Sequence, residues 1–178
     1  MGQHEPLWVF GYGSLMWRPG FPHRRSLRGL LTGAHRRLCV YSWVHRGTQE
    51  RPGLVLGLDR GGACRGLAFE VAPDDSERVV TYLREREQVT MVYLERTRSV
   101  RLETGETVNA LCYMVDTDHP QYAGRIDRDH MLETVTGAVG QSGENWEYVV
   151  NSAAAIRSLG LHDPDLEWLS DQLMDARA

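Results

Sequence analysis

Strand-like segments fill the first part of the chain and helix-like segments the last, without the regular alternation that builds parallel βαβ units. Leu7 to Tyr12, Leu38 to Val44, Leu54 to Asp59 and Arg65 to Val71 are rich in apolar and β-favouring residues and bounded by Gly or Pro, so they read as strands. Gly61-Gly62 reads as a tight turn between the last two. Asp74 to Gln88 reads as a helix that Asp74 caps, with Glu77 completing a capping-box-like pair. Thr90 to Leu102 and Thr107 to Val115 read as a hairpin around Thr104-Gly105. Three helices then follow: Arg128 to Val139, stopped by Gly140; Glu144 to Leu159, stopped by Gly160; and Pro164 to Met174, with Pro in the favoured first position after Asp163. This order predicts an α+β fold, a small closed sheet flanked by helices. No repeat, low-complexity tract or linker divides the 178 residues, so a single domain over 1–178 is expected.

Charge and thiols narrow the function. A net charge of −4 favours neither nucleic acid nor an anionic membrane as partner. Cys39, Cys64 and Cys112 are odd in number, widely spaced and set in or beside apolar runs, so they read as small buried thiols, not as a disulfide framework or zinc site. The His residues form no HExxH and no close pair, and no metal is expected. Met1 to Pro6 lacks the apolar stretch of a signal peptide, Pro6 stands where a myristoylation motif wants Ser or Thr, and no apolar run reaches membrane-spanning length. A cytoplasmic monomer or homodimer is the expectation.

The first strand opens into Gly11-Tyr12-Gly13-Ser14-Leu15. A dinucleotide fingerprint would need a third Gly where Met16 stands. A P-loop would need Gly-Lys-Ser/Thr, and a nucleophile elbow would need Gly at the places of Tyr12 and Met16. What remains is a sharp turn whose backbone N–H groups suit a carboxylate or a developing oxyanion, or else an ordinary strand-to-loop turn.

The helix from Asp74 carries an acid on its apolar side. At about 100° per residue, and relative to Val80, Leu83 lies near 300°, Val79 near 260° and Glu87 near 340°, whereas Glu85 lies near 140°. Glu87 is therefore expected inside and Glu85 in water. An unpaired buried carboxylate is costly, and the last turn of a helix disfavours negative charge, so both effects raise the pKa of Glu87 toward the range of a general acid or base. Arg84 and Arg86 oppose this if they reach it. A frayed end or a structural ion pair is the alternative.

Four stretches taken together resemble the ChaC-like glutathione-specific γ-glutamylcyclotransferases. These are Trp8 to Trp17; His45-Arg46-Gly47-Thr48 followed by Pro52 to Leu56; Tyr82 to Glu87 followed by Tyr93; and Gly143-Glu144-Asn145-Trp146-Glu147-Tyr148, with Leu159-Gly160 and Asp163-Pro164 beyond it. The resemblance implies the γ-glutamylcyclotransferase-like mixed barrel and a reaction without cofactor. Glutathione would be the small-molecule substrate, converted to 5-oxoproline and Cys-Gly. Glu87 would be the catalytic acid/base, Gly11, Tyr12, Gly13, Ser14 and Leu15 would hold the γ-glutamyl moiety, and Tyr148 would line the same site. Arg46 could bind the glycine carboxylate or serve the structure. The sequence departs from many relatives at Val89-Thr90-Met91, where they carry Gly-Gly-Tyr, and at Val44, where an acid often precedes His-Arg-Gly; both bear on how the Cys-Gly end is gripped. Alternatives are a cyclotransferase for another γ-glutamyl amine or amide, a non-catalytic ligand-binding protein, and a hydrolase using Ser14.

Overall fold

The computed structural model describes residues 5–88 and 91–178. Its elements run in chain order as β1 (Leu7–Gly11), α1 (Ser14–Trp17), β2 (Arg25–Ser42), β3 (Gly53–Val71), a 3₁₀ turn (Pro73–Asp75), α2 (Ser76–Glu87), β4 (Tyr93–Leu102), β5 (Thr107–Val115), α3 (Arg128–Val135), the short strands β6 (Val139–Gly140) and β7 (Gly143–Glu144), α4 (Asn145–Ser158) and α5 (Pro164–Asp175). The α+β expectation holds. Five strands close a barrel in the order β1-β3-β2-β4-β5. It is mixed: β1 runs antiparallel to β3 and parallel to β5, and β4 and β5 form the expected antiparallel hairpin.

The chain forms two compact units. The first takes the chain up to Arg36 together with Leu58–Asp116, and the second Arg37–Gly57 together with Thr117–Ala178. In the first, α2 lays Val79 and Leu83 on a cluster formed by Val9, Leu15, Phe21, Phe69, Val71, Leu111 and Tyr113. Val9, Val71, Val79 and Leu83 are fully buried, and withdrawing such side chains from water stabilises by about 1.5–3 kcal/mol each. This packing fixes the last turn of α2 and the end of β1 in the same unit. In the second, α4 and α5 bury Val149, Ala153, Ile156, Leu166, Leu169 and Leu173.

The strands are longer than their apolar runs. β2 begins at Arg25, because Arg25–Arg37 is too rich in Arg and Gly to read as a strand, yet a closed barrel gives its backbone partners on both sides. β3 runs unbroken through Gly61-Gly62, whose φ values of 95° and 69° bend the strand instead of ending it. Asp74 does not cap α2: the 3₁₀ turn from Pro73 moves the start of the helix to Ser76, and the flanking Asp75 carboxylate is drawn to Arg78 at 2.7 Å. α3 ends at Val135, where Gly137 turns with a φ of 78° and Val139–Gly140 pairs with Gly143–Glu144. α5 starts after Asp163 as expected, and the Asp163 side chain caps it, its Oδ1 accepting from the Leu166 N–H at 3.1 Å. Val89 and Thr90 lie outside the described residues. All three cysteines are buried, and none of them is in a disulfide.

Candidate active site

β1 delivers the chain into α1 at Gly11. A Cβ there would stand 3.1 Å from the Cβ of Leu15 and 3.3 Å from the Met16 nitrogen, so the first turn of α1 folds back over the strand end. Leu15 and Met16 are buried, which anchors the turn from below. Gly13 closes it, its carbonyl accepting from the Met16 N–H at 2.9 Å.

Two arginines hold this loop. Arg36 of β2 donates Nε–H to the Tyr12 carbonyl at 2.5 Å and Nη2–H to the Arg65 carbonyl at 2.7 Å. Arg86 of α2 donates from Nη2 to Ser14 Oγ at 3.0 Å. Its Nη1 reaches the carbonyls of Arg18 at 2.5 Å and Pro19 at 3.0 Å and the hydroxyl of Tyr82 at 3.0 Å. Gly20, with a φ of 72°, completes the close approach, since a Cβ there would run into the Tyr82 hydroxyl.

The same guanidinium touches the acid next to it in sequence. Arg86 Nε lies 3.5 Å from Glu87 Oε1, and the two side chains are only 20% and 16% exposed. Glu85 is exposed, as its helical angle requires. Burial raises the Glu87 pKa above the ordinary 4.5, and the Arg86 charge pulls it partway back; burial wins. Arg84 takes no part. It points outward and forks Glu95 with bonds of 2.9 and 3.0 Å. Glu95 also accepts from the Tyr113 hydroxyl at 3.0 Å, and its pKa falls because of the Arg84 bond. Burial, then the charges of Glu95 and Glu87, push the Tyr113 pKa up. Tyr113 therefore stays protonated within electrostatic reach of Glu87.

Arg46 and Tyr148 belong to the second unit. The Arg46 guanidinium lies over the Tyr148 ring, 5.6 Å from its centroid, and donates from Nη1 to the Glu144 carbonyl at 3.1 Å. The Tyr148 hydroxyl accepts from the Leu56 N–H at 3.0 Å. One turn earlier on α4, Asn145 is fully buried and bonds both polar groups of Leu54, accepting from its N–H at 2.7 Å and donating to its carbonyl at 3.0 Å. Gly53 is needed beside it, since a Cβ would come within 2.8 Å of Asn145 Oδ1.

The structure thus brings Glu87 and the Gly11–Leu15 loop to one guanidinium in the first unit, and Arg46 and Tyr148 together in the second. Sequence reasoning weighed Arg86 only as an opposing charge, and missed Arg36 as a support of the loop. At about 100° per residue Arg86 falls near 240°, beside Val79 at 260°, so helical periodicity carried its signal. Arg36 gave none, because its strand was not legible. Ser14 lacks a base: its hydrogen-bond partner among the described residues is a guanidinium, which stays protonated. No group of three or more His, Cys, Asp or Glu among the described residues could hold a metal ion.

The model of the ChaC-like protein family matches residues 7–175. The "Glutathione-specific gamma-glutamylcyclotransferase" of Escherichia coli (strain K12) is 35% identical over 161 residues, covering 90% of this chain and 70% of that protein. The "Glutathione-specific gamma-glutamylcyclotransferase 1" of Danio rerio is 37% identical over 155 residues, covering 85% and 79%. The crystal structure of a γ-glutamyl cyclotransferase specific to glutathione from yeast superposes with a TM-score of 0.85 at 21% identity, covering 96% of each chain, and so shares the fold. With a family match that runs through both units and relatives at this level of identity, the chain belongs to the ChaC-like protein family.

Proposed function

We propose that this chain is a glutathione-specific γ-glutamylcyclotransferase, that the whole chain 1–178 acts as one γ-glutamylcyclotransferase-like domain, and that Glu87 is its catalytic acid/base. The observation that carries the role of Glu87 is a carboxylate withdrawn from water at the end of α2, sharing one guanidinium with the loop that follows β1. The family relationship supports the choice of substrate.

The nucleophile belongs to glutathione. Its α-amine attacks the γ-amide carbon, the new C–N bond closes a five-membered lactam, and the old C–N bond to cysteine breaks. The products, 5-oxoproline and Cys-Gly, together hold every atom of the substrate. Glu87 takes a proton from the attacking ammonium and passes one to the leaving nitrogen, a role that a pKa raised toward neutrality suits. The loop of Gly11, Tyr12, Gly13, Ser14 and Leu15 holds the glutamyl chain curled, and proximity of this kind lowers a barrier by several kcal/mol. Its amides face the α-carboxylate or the carbonyl oxygen as that oxygen gains charge. Arg46 and Tyr148 are proposed as further substrate-binding residues. Among the described residues only Nη1 of the Arg46 side chain is hydrogen-bonded, so other N–H groups of its fork remain for a carboxylate.

Product analysis tests the reading. Incubation with glutathione yields equimolar 5-oxoproline and Cys-Gly, and a panel of γ-glutamyl dipeptides and γ-glutamylamines turns over far more slowly. Free glutamate as the product would replace cyclisation with hydrolysis. Equal turnover across the panel would keep the chemistry and remove the glutathione specificity.

A further inference from the structure

The guanidinium of Arg86 does two jobs at once. Its Nη groups fasten the loop from Ser14 to Pro19 through a hydroxyl and two carbonyls, and its Nε lies against Glu87. The side chain is four-fifths buried, and its fork is fixed further by Tyr82. The planar fork matters, because a single ammonium could not span Ser14 Oγ, the two carbonyls and the Glu87 carboxylate in fixed directions. We propose that Arg86 is a positioning residue for the cyclisation, holding the substrate loop and the acid/base in one register across a shared guanidinium. This rests on the cyclotransferase reading with Glu87 as acid/base.

The charges around Glu87 make the role separable from mere support. Arg86 faces it from its own helix and Tyr113 from β5; Tyr113 bonds Glu95 of β4, which Arg84 holds. Arg86 is thus the cation that steadies the ionised form of Glu87. As Glu87 must be ionised to accept the ammonium proton, removing Arg86 moves the acidic limb of the pH–rate profile to higher pH.

The test compares wild type, Arg86→Gln, Arg86→Lys and Arg78→Gln, the last an exposed partner of Asp75 near the start of the same helix. Each is assayed with glutathione for 5-oxoproline across pH, alongside a thermal melt. Arg86→Gln should lose about 100-fold in kcat/KM, the scale of a misplacement near 1 Å, and its acidic limb should shift upward. Arg86→Lys keeps the charge but not the fork, so its limb stays near the wild-type position while the rate still falls. Arg78→Gln should match wild type in both. A folded Arg86→Gln with the wild-type rate, or with a lowered melting temperature and an unmoved limb, overturns the proposal. If that variant fails to fold, Arg86→Lys decides: wild-type kcat/KM overturns it. A wild-type protein that makes no 5-oxoproline fails the cyclotransferase reading itself and the role of Arg86 with it, whereas an active wild type with an indifferent Arg86 leaves that reading intact.

Discussion

Asn145, at the start of α4, is fully buried with both ends of its amide bonded to Leu54, whereas Glu87, at the end of α2, is withdrawn from water with one guanidinium 3.5 Å from a single oxygen. Both are polar groups turned inward, and both lie in stretches that resemble family signatures. The amide takes the place of a strand partner for a fully buried residue, and its hydrogen-bonding capacity is used there. Among the described residues the carboxylate has one guanidinium against a single oxygen, and burial shifts its proton affinity upward. Satisfied polar groups hold a fold, and under-satisfied ones are available for chemistry.

Substitutions can break this contrast. The largest effect expected is on turnover: Glu87→Gln should lose about 10²- to 10⁴-fold in rate while folding normally, read by 5-oxoproline release and a thermal melt. Its stability should also show the opposite cost. Because burial raises the folded-state pKa of Glu87, the stabilisation it contributes is present below the ordinary 4.5 and is lost as pH rises through the raised value. Wild type should therefore lose stability relative to Glu87→Gln as pH rises from 4 toward neutrality, in denaturant titrations at matched pH. Asn145→Leu should do the reverse. It leaves the N–H and carbonyl of Leu54 buried and unpaired, at about 1–3 kcal/mol each, and the loss appears as a lower denaturant midpoint. Tyr148→Phe sharpens the comparison, since its hydroxyl supports the Leu56 N–H and is also a proposed substrate contact. It should destabilise by about 1 kcal/mol, and a raised KM for glutathione accompanies the loss only if the ring end meets substrate. Glu85→Gln, exposed on the opposite side of α2, should change stability by less than about 0.5 kcal/mol and leave turnover alone.

Local periodicity made α2, the β4–β5 hairpin, α4 and α5 legible, because each has a clear apolar face and a recognisable turn or cap. It also separated Glu87 from Glu85. The long strands were hidden for a physical reason. A strand closed into a barrel draws order from neighbours on both sides, so the Arg- and Gly-rich half of β2 needs no apolar run of its own, and the glycines at 61 and 62 that resemble a hairpin turn serve as a bend. The supports of the site were hidden similarly. Arg36 acts through a carbonyl 24 residues away in sequence, and Arg86 through Ser14 at a separation of 72 residues, distances that no local pattern spans. Asn145 was visible only as part of a signature, because its partner, the backbone of Leu54, carries no side-chain mark.

The protonation of Glu87 is the quantity on which the chemistry turns, and it can be read directly. The side-chain carboxyl carbons of wild type and Glu87→Gln, followed by ¹³C NMR across pH, isolate the Glu87 titration by difference. A midpoint above the ordinary 4.5 is the predicted result. A midpoint at or below it would mean that Arg86 outweighs burial, and that Glu87 is an ion pair of the fold instead of the acid/base of the reaction.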